Sequence, residues 1–493
     1  MGVRTGMSGS LAEKQPWPSS AASEPLTETY RTTVDAPDAS AASAAGVGWD
    51  RRQGGGRLRP ACVWLTLLAG LALLVLLVPG AEVARTRSRA VDSCSISLVE
   101  SIPIGLTYNS SVSHMSTFDA WQRLLRLATG SVSIASYYWT LLGRDVVPDP
   151  SAAQGEEIYR QLTQTGLRSD VTLKIAQNTP DGKSNDTQHL ADIGAAEVRS
   201  LDFPRLVGAG ILHTKMWLVD ARHFYVGSAN LDYRSLTQVK ELGALVQDCK
   251  PLAADMDKIF QVYWLVGGDT GRIPDVWPDQ YHTDINKDNP LPVSLPDETA
   301  YVYLSSSPPA LCPPGRTSDG DAIVHTIDAA RKFVHIAVMD YYPMLIYGRF
   351  TFWPVIDDAL RRAAVDRGVE VLLLASHWNH THADMYHGLR SLQALNGTRK
   401  HIRIEVRMFE VPPSSGQQIP YSRVNHNKYM VTDQVAYIGT SNWSGDYFVN
   451  TGGIGLVVNS SSPASAGALR SQLEAVFQRD WQSDHSRPLA DFD

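Results

Sequence analysis

The sequence predicts an α/β protein of two similar halves, each a mixed β-sheet flanked by helices, related by pseudo-two-fold symmetry and preceded by one N-terminal transmembrane helix. Three observations carry that prediction. A ten-residue pattern occurs twice, short apolar strands alternate with helical stretches in the same order around each copy, and one uncharged apolar run lies near the N-terminus.

The pattern is the strongest of the three. "ILHTKMWLVD" (211–220) sets His213 and Lys215 two apart with Asp220 five further on, and "VNHNKYMVTD" (424–433) repeats this as His426, Lys428 and Asp433. "GSAN" (227–230) follows the first copy and "GTSN" (439–442) the second. Chance supplies about half an accidental His-x-Lys in such a composition. Adding the aspartate and the Gly-x-x-Asn, twice over, leaves no room for accident.

The flanking elements repeat as well. "VSIASYYW" (132–139) and "VHIAVMDYY" (334–342) each read as an apolar strand ending in aromatics. Helical stretches follow at 156–167 and 355–368, then strands "VTLKIA" (171–176) and "VEVLLLA" (369–375). "IFQVYW" (259–264) and "VFQRDW" (476–481) close the two units. Strands alternating with helices predict α/β halves. These span 96–285 and 311–488, with a linker at 286–310 that takes in much of the polar, proline-rich stretch 284–298.

The third observation concerns Ala61–Val78, 18 residues without a charge and about the length a hydrocarbon core requires. Sixty residues precede it, which argues against a cleaved signal peptide. Residues 61–80 are read as a signal-anchor helix, 1–60 as a disordered tail rich in Ser, Ala, Gly and Pro, and 81–95 as a stem. Asn-x-Ser/Thr occurs at Asn109, Asn185, Asn379, Asn396, Asn442 and Asn459, all beyond the apolar run. That asymmetry predicts a type II topology, with a cytosolic N-terminus and a luminal bulk.

Composition excludes little else. With 493 residues, 43% hydrophobic and 19% charged, the chain has material for about two to four domains. A net charge of −7 is wrong for a strongly basic nucleic-acid coat, although it allows a local basic cleft. Protonating all 14 histidines would move that charge to +7, so an acidic compartment would change the electrostatics.

Alternation along a strand puts residues i and i+2 on one face. His213 and Lys215 then share a face, as do His426 and Lys428. Ser228 with Asn230, and Thr440 with Asn442, line the returning strands. Asp220 and Asp433 complete the motif and the candidate catalytic set, but their opposite parity aims them at a turn. Two imidazoles, two ammonium groups and two carboxamides in one cleft suit a phosphodiester. Lysines, amides and hydroxyls would hold the phosphate oxygens while one imidazole attacks phosphorus and the other handles the proton. Paired lysines supply the charge a cation otherwise would, so no metal or other cofactor is assigned. Three histidines in "HWNHTH" (377–382) invite a metal, but a glycan on Asn379 would crowd it. Asn442 sits in a sequon and in the cleft motif at once, so it is expected to carry no sugar. Tyr137, Tyr138, Trp139, Tyr341 and Tyr342 end the paired strands and either stack on unpaired bases or wall a core.

These residues resemble the phospholipase D superfamily, whose HxKxxxxD and GSxN motifs occur here in both halves. "LVESIP" (98–103), "ASYYWTL" (135–141), "ANLDYRSLTQVKELG" (229–243), "RVNHNKYMVTD" (423–433) and "YIGTSNWS" (437–444) are similar to the membrane-anchored lysosomal branch, phospholipase D family members three and four. The likeness runs from about Cys94 to about Trp481. It implies a 5′-to-3′ exonuclease that degrades single-stranded DNA and RNA through a phosphohistidine and releases nucleoside 3′-monophosphates. The alternative is a transphosphatidylase making bis(monoacylglycero)phosphate from phosphatidylglycerol-type lipids, or a phospholipase D. An inactive luminal binding protein is a further alternative.

The resemblance also implies roles. His213 would be the nucleophile and His426 the general acid and base, although the sequence symmetry itself leaves that order open. Glu241, 28 residues after His213, stands where superfamily nucleases keep a carboxylate that orients an imidazole; the second half has "GGIG" (452–455) there. A Cys94–Cys249 disulfide is implied with Cys312 free, since Ser376 replaces a cysteine found in some relatives. A homodimer follows by analogy, as does passage through the endoplasmic reticulum and Golgi to the late endosomal and lysosomal lumen. Cleavage in the stem would release a soluble form.

Overall fold

A computed structural model describes residues 94–179, 185–347, 349–414 and 416–492. The expected tail, membrane helix and most of the stem lie outside them. Among the described residues no helix is long and apolar enough to cross a membrane.

Two mixed sheets organise the chain. From edge to edge the first runs Met115–Ser116, Ser95–Ser101, Glu241–Gln247, His223–Gly227, Met216–Val219, Ser131–Ser136, Thr172–Asn178 and Glu197–Leu201. The second runs Leu291–Ser294, Thr299–Ser307, Gly453–Ser460, Val435–Gly439, Lys428–Thr432, Phe333–Val338, Glu370–His377, Ile404–Glu410 and Ser486–Pro488. Seven strands occupy matching places in the two orders. The short strands Met115–Ser116 and Thr317–Ser318 also match, each pairing in parallel with the first long strand of its half.

The expected helices appear at Ala153–Gly166 and Val355–Arg367, beside parallel pairs of the crossover type. The expected linker is corrected. Leu291–Ser294 and Thr299–Ser307 fall within 286–310 and belong to the second sheet. In "TAYVYLSSS" the residues alternate between buried and exposed at first, as a half-covered strand does, and then become wholly buried.

One core cluster holds residues of both sheets together with the helices Lys250–Val266 and Leu469–Trp481, so the halves share an interior. Each half has a second cluster of its own. Buried ion pairs cross the shared interior. Arg316 holds Asp255 at 2.6 Å, Arg479 holds Glu100 at 2.8 Å, and Lys240 lies 2.6 Å from Asp480. Cys94 and Cys249 form a disulfide that ties the start of the first strand to the helix Lys250–Val266.

His335 is held differently. Its ring stacks between Phe333 and Phe477, with Nδ1 3.0 Å from Glu474 and Nε2 3.2 Å from Glu370. Gln478 also bonds Glu474, Arg403 pairs with Glu370, and Arg470 covers Phe333. Burial pulls the imidazole pKa down, but the two carboxylates outweigh it and the net shift is upward. Its stabilisation is therefore complete below the unfolded value of about 6.5 and fades as pH rises through the higher folded value. Glu370, shifted down mainly by His335, loses its share only at acid pH, as pH falls through its lowered value. Thermal denaturation from about pH 5.5 to about pH 8.5 should show the melting temperature falling more in the unsubstituted chain than in His335→Leu. Parallel curves would refute the assignment.

Candidate active site

Both motifs enter the site in the same way. Met216–Val219 begins just after Lys215, and Lys428–Thr432 begins at Lys428, so both histidines lie in the lead-in to their strands. The next strands, His223–Gly227 and Val435–Gly439, run back antiparallel and deliver Ser228 with Asn230 and Thr440 with Asn442 just past their ends. All of these side chains are buried.

The halves meet backbone to backbone at this point. His213 N donates to Gly452 O at 2.8 Å, and Gly452 N to Ile211 O at 2.8 Å. His426 N donates to Lys240 O at 2.8 Å, and Lys240 N to Val424 O at 2.9 Å. The register pairs Ser101 with Glu241 and Ser307 with Gly453, which makes Lys240 and Gly452 counterparts. Exchanging the halves therefore maps one set of bonds onto the other. At Gly452 a Cβ would meet the side-chain tips of Phe203 at 2.8 Å and Leu212 at 2.9 Å, so these would have to shift to admit one.

The imidazoles differ in what holds them. His213 Nδ1 is 2.9 Å from the Thr440 carbonyl, which can only accept, so Nδ1 carries the proton and Nε2 presents a bare lone pair. His426 Nδ1 is 2.8 Å from Glu241, whose other oxygen accepts from Ser235 at 2.8 Å. Each half thus orients the other half's histidine. Burial holds the His213 pKa well below the usual range, helped by Lys215, Lys428 and His426. Burial likewise brings His426 down to about 4, with Glu241 opposing the shift.

Lys215 and Lys428 each donate to the carbonyl of their own histidine, at 2.6 and 2.7 Å. Burial lowers both lysine pKa values, and Lys428 depresses Lys215 further. An anion between them would reverse that strain, and each ammonium has further protons to donate.

The other expected phosphate ligands differ in how far their donors are already used. Ser228 Oγ donates to Leu242 O and accepts from Leu242 N, at 3.1 and 2.9 Å. Thr440 Oγ1 accepts from Ile454 N at 3.0 Å. Both hydroxyls pin the hairpin to the neighbouring strand. Asn442 Nδ2 donates to Asp340 at 2.8 Å and to Tyr447 at 3.2 Å, and Asn230 Nδ2 lies 3.4 Å from Tyr138 OH. Ser228, whose proton goes to Leu242 O, and Asn442, whose two Nδ2 protons go to Asp340 and Tyr447, are thereby occupied, while the Thr440 hydroxyl proton and the second Nδ2 proton of Asn230 remain for a phosphate beside the lysines.

The aspartates are corrected too. Asp220 accepts from the backbone of Thr129, Gly130 and Ser131 and from the Thr129 hydroxyl, at 2.7–2.8 Å. Burial raises its pKa, but those donors outweigh it and the net shift is downward. Asp433 accepts from Arg331 N and Lys332 N at 2.9 and 3.1 Å. Both hold strand entrances, as their parity requires, and stand outside the catalytic set.

The structure adds residues the motifs do not announce. Tyr447 packs edge-on to His213 at 5.0 Å between ring centres, and Tyr137 lies 5.5 Å from the same ring and 5.8 Å from the Lys215 ammonium. Burial raises the Asp340 pKa to about 6 beside Asn442. Only Tyr137 had a signal, as one of the strand-end aromatics. Its companions are walls: Tyr138 OH donates to Asp232, Trp139 to Ser136 and Tyr341 to Asp357. In the histidine tract His377 meets Tyr386, His380 stacks on Tyr421, and His382 lies 3.5 Å from Asp384.

Comparison with known proteins agrees with this geometry. Residues 109–414 match the family described as "PLD3/4, PLD-like domain". A protein named 5′-3′ exonuclease PLD3 from Xenopus tropicalis is 49% identical over 403 residues, covering 80% of this chain and 81% of its own. One named 5′-3′ exonuclease PLD4 from Mus musculus is 45% identical over 409 residues, covering 81% and 80%. Among solved structures, phosphatidylserine synthase from Haemophilus influenzae Rd KW20 is similar in fold, with a TM-score of 0.51 at 11% identity over 76% of this chain and 86% of that one. With its paired motifs, a family match across more than half its length and relatives near half identical, this chain belongs to the PLD3/4 family of phospholipase D-like proteins.

Proposed function

We propose that the protein is a 5′-to-3′ exonuclease of single-stranded DNA and RNA working through a phosphohistidine. One observation carries the mechanism: the two imidazoles share a site but have different Nδ1 partners. His213, held by a neutral carbonyl and kept unprotonated by its surroundings, attacks phosphorus through Nε2. The bond from phosphorus to the 5′-oxygen of the next nucleotide breaks, and that oxygen takes a proton from His426. Glu241 offsets part of the downward shift that burial imposes on His426, and His213 has no such carboxylate, so His426 is the better suited of the two to carry the proton. Water then gives its proton to His426 and attacks phosphorus, and the bond to His213 breaks to release a nucleoside 3′-monophosphate. Lys215 and Lys428 neutralise the non-bridging oxygens throughout. The names of the relatives support nucleic acid as the substrate and digestion from the 5′ end.

We also infer a type II membrane protein with a glycosylated luminal bulk, delivered to the late endosome and lysosome. Exposure of Asn109, Asn379, Asn396 and Asn459 supports glycosylation there, and the burial of Asn442 is why its sequon stays empty. The side chain of Asn185 lies outside the described residues.

The test incubates detergent-solubilised full chain at about pH 5 with a 5′-hydroxyl oligonucleotide, its 5′-phosphorylated counterpart, phosphatidylcholine and phosphatidylglycerol. Stepwise shortening of the 5′-hydroxyl strand to 3′-monophosphates is expected. Turnover of lipid alone would replace this reading with the transphosphatidylase or phospholipase one.

A further inference from the structure

Beside the site stands a small hairpin that the catalytic chemistry does not use. Met344–Leu345 pairs antiparallel with Thr351–Phe352, and the connection reads "IYGRF" (346–350). Asp446, just beyond the second motif, anchors it by accepting from Ile346 N at 2.6 Å and Tyr347 N at 3.3 Å. Gly445 N also donates to Met344 O, and a Cβ on Gly445 would meet Leu345 and Trp353 at 2.9 Å. The hairpin is therefore seated firmly against the segment that carries Tyr447.

Its outward side is unusual for a surface. Phe352 is 74% exposed and Phe350 57%, with Arg349 exposed between Tyr347 and Phe350. Solvated aromatics that cover no core and alternate with a cation fit a ligand that offers flat apolar rings joined by negative charge. Single-stranded nucleic acid has that chemistry, since every base has a face to stack and every link a phosphate. Position supports the same occupant. Tyr347 lies 6.3 Å from Tyr447, and Tyr447 lies 5.0 Å from His213, so rings lead from the hairpin to the imidazole. Among the described residues of the first half no aromatic side chain is exposed, and Trp139 at the matching strand end is buried and bonded to Ser136.

We propose that this hairpin is the stacking platform for the strand beyond the scissile bond, with Phe350 and Phe352 as the base-stacking residues and Arg349 as the phosphate contact. The inference rests on the nuclease reading and adds its outer subsite.

The experiment compares a 5′-hydroxyl dinucleotide with a ten-nucleotide strand for the full chain, F350A/F352A and F350W/F352W. Losing the two rings should lower the ratio of kcat/KM for the decamer to that for the dinucleotide by about tenfold or more, through KM, and tryptophan should restore it. Equal losses on both lengths, or no change in the ratio, would overturn the platform. So would loss of phosphatidylglycerol-vesicle binding with the ratio intact, which would make this a lipid-facing surface. Fluorescence anisotropy with the decamer reads binding whether or not the strand is cut. Binding that depends on Phe350 and Phe352 without cleavage would sink the nuclease reading and leave the platform standing; binding indifferent to them would do the reverse.

Discussion

His213→Ala should lower kcat on nucleic acid by about 10⁴-fold or more, while His426→Ala should cost about 10²- to 10⁴-fold. The two losses arise at different steps and can be told apart. A phosphodiester with an activated leaving group, such as a nitrophenolate, departs without a proton. His426→Ala should therefore still complete the first step on that substrate and accumulate phosphorylated His213. His213→Ala should do neither, because His426, held by Glu241, serves as acid and base and not as nucleophile. Single-turnover kinetics with acid-labile phosphate trapping reads both outcomes. Should His213→Ala turn over the activated ester, or the phosphate appear on His426, the assigned order is reversed.

Lys240→Met should be the largest stability change, about 3 kcal/mol and several degrees in melting temperature. Lys240 and Asp480 have fully buried side chains, and Arg479 adjoins both Asp480 and Glu100. The four charges balance. Removing the ammonium alone leaves an uncompensated buried carboxylate, whereas Lys240→Met with Asp480→Leu restores neutrality and should recover most of the loss. The Lys240 carbonyl holds the His426 backbone, so activity should fall with the single substitution and return with the double one. A double variant no more stable than the single would show that packing, and not charge, dominates there.

Much of this was legible in the sequence because the chemistry is local and repeated. The His-x-Lys pairs, the glycine-led returns and the strand and helix order all follow from spacing within single elements. The turn-holding role of Asp220 and Asp433 followed from parity. Glu241 was visible as an acid at a suggestive distance, but its partner was not, because the contact joins residues 185 apart in sequence. Asp340 and Tyr447 escaped for the same reason. Ser228 misled because periodicity says which way a side chain points but not whether a neighbouring strand will claim its hydroxyl proton. The linker was set too wide because its prolines and charges outweighed the alternating residues of Thr299–Ser307.

Glu241 comes from the first half yet steadies the histidine of the second, and the Thr440 carbonyl returns the service. Neither repeat could be expressed separately and still work, so two fragments parted between 285 and 290 should be inert until mixed. The same reciprocity constrains descent: once each copy had come to depend on the other for a correctly set ring, neither was free to be discarded.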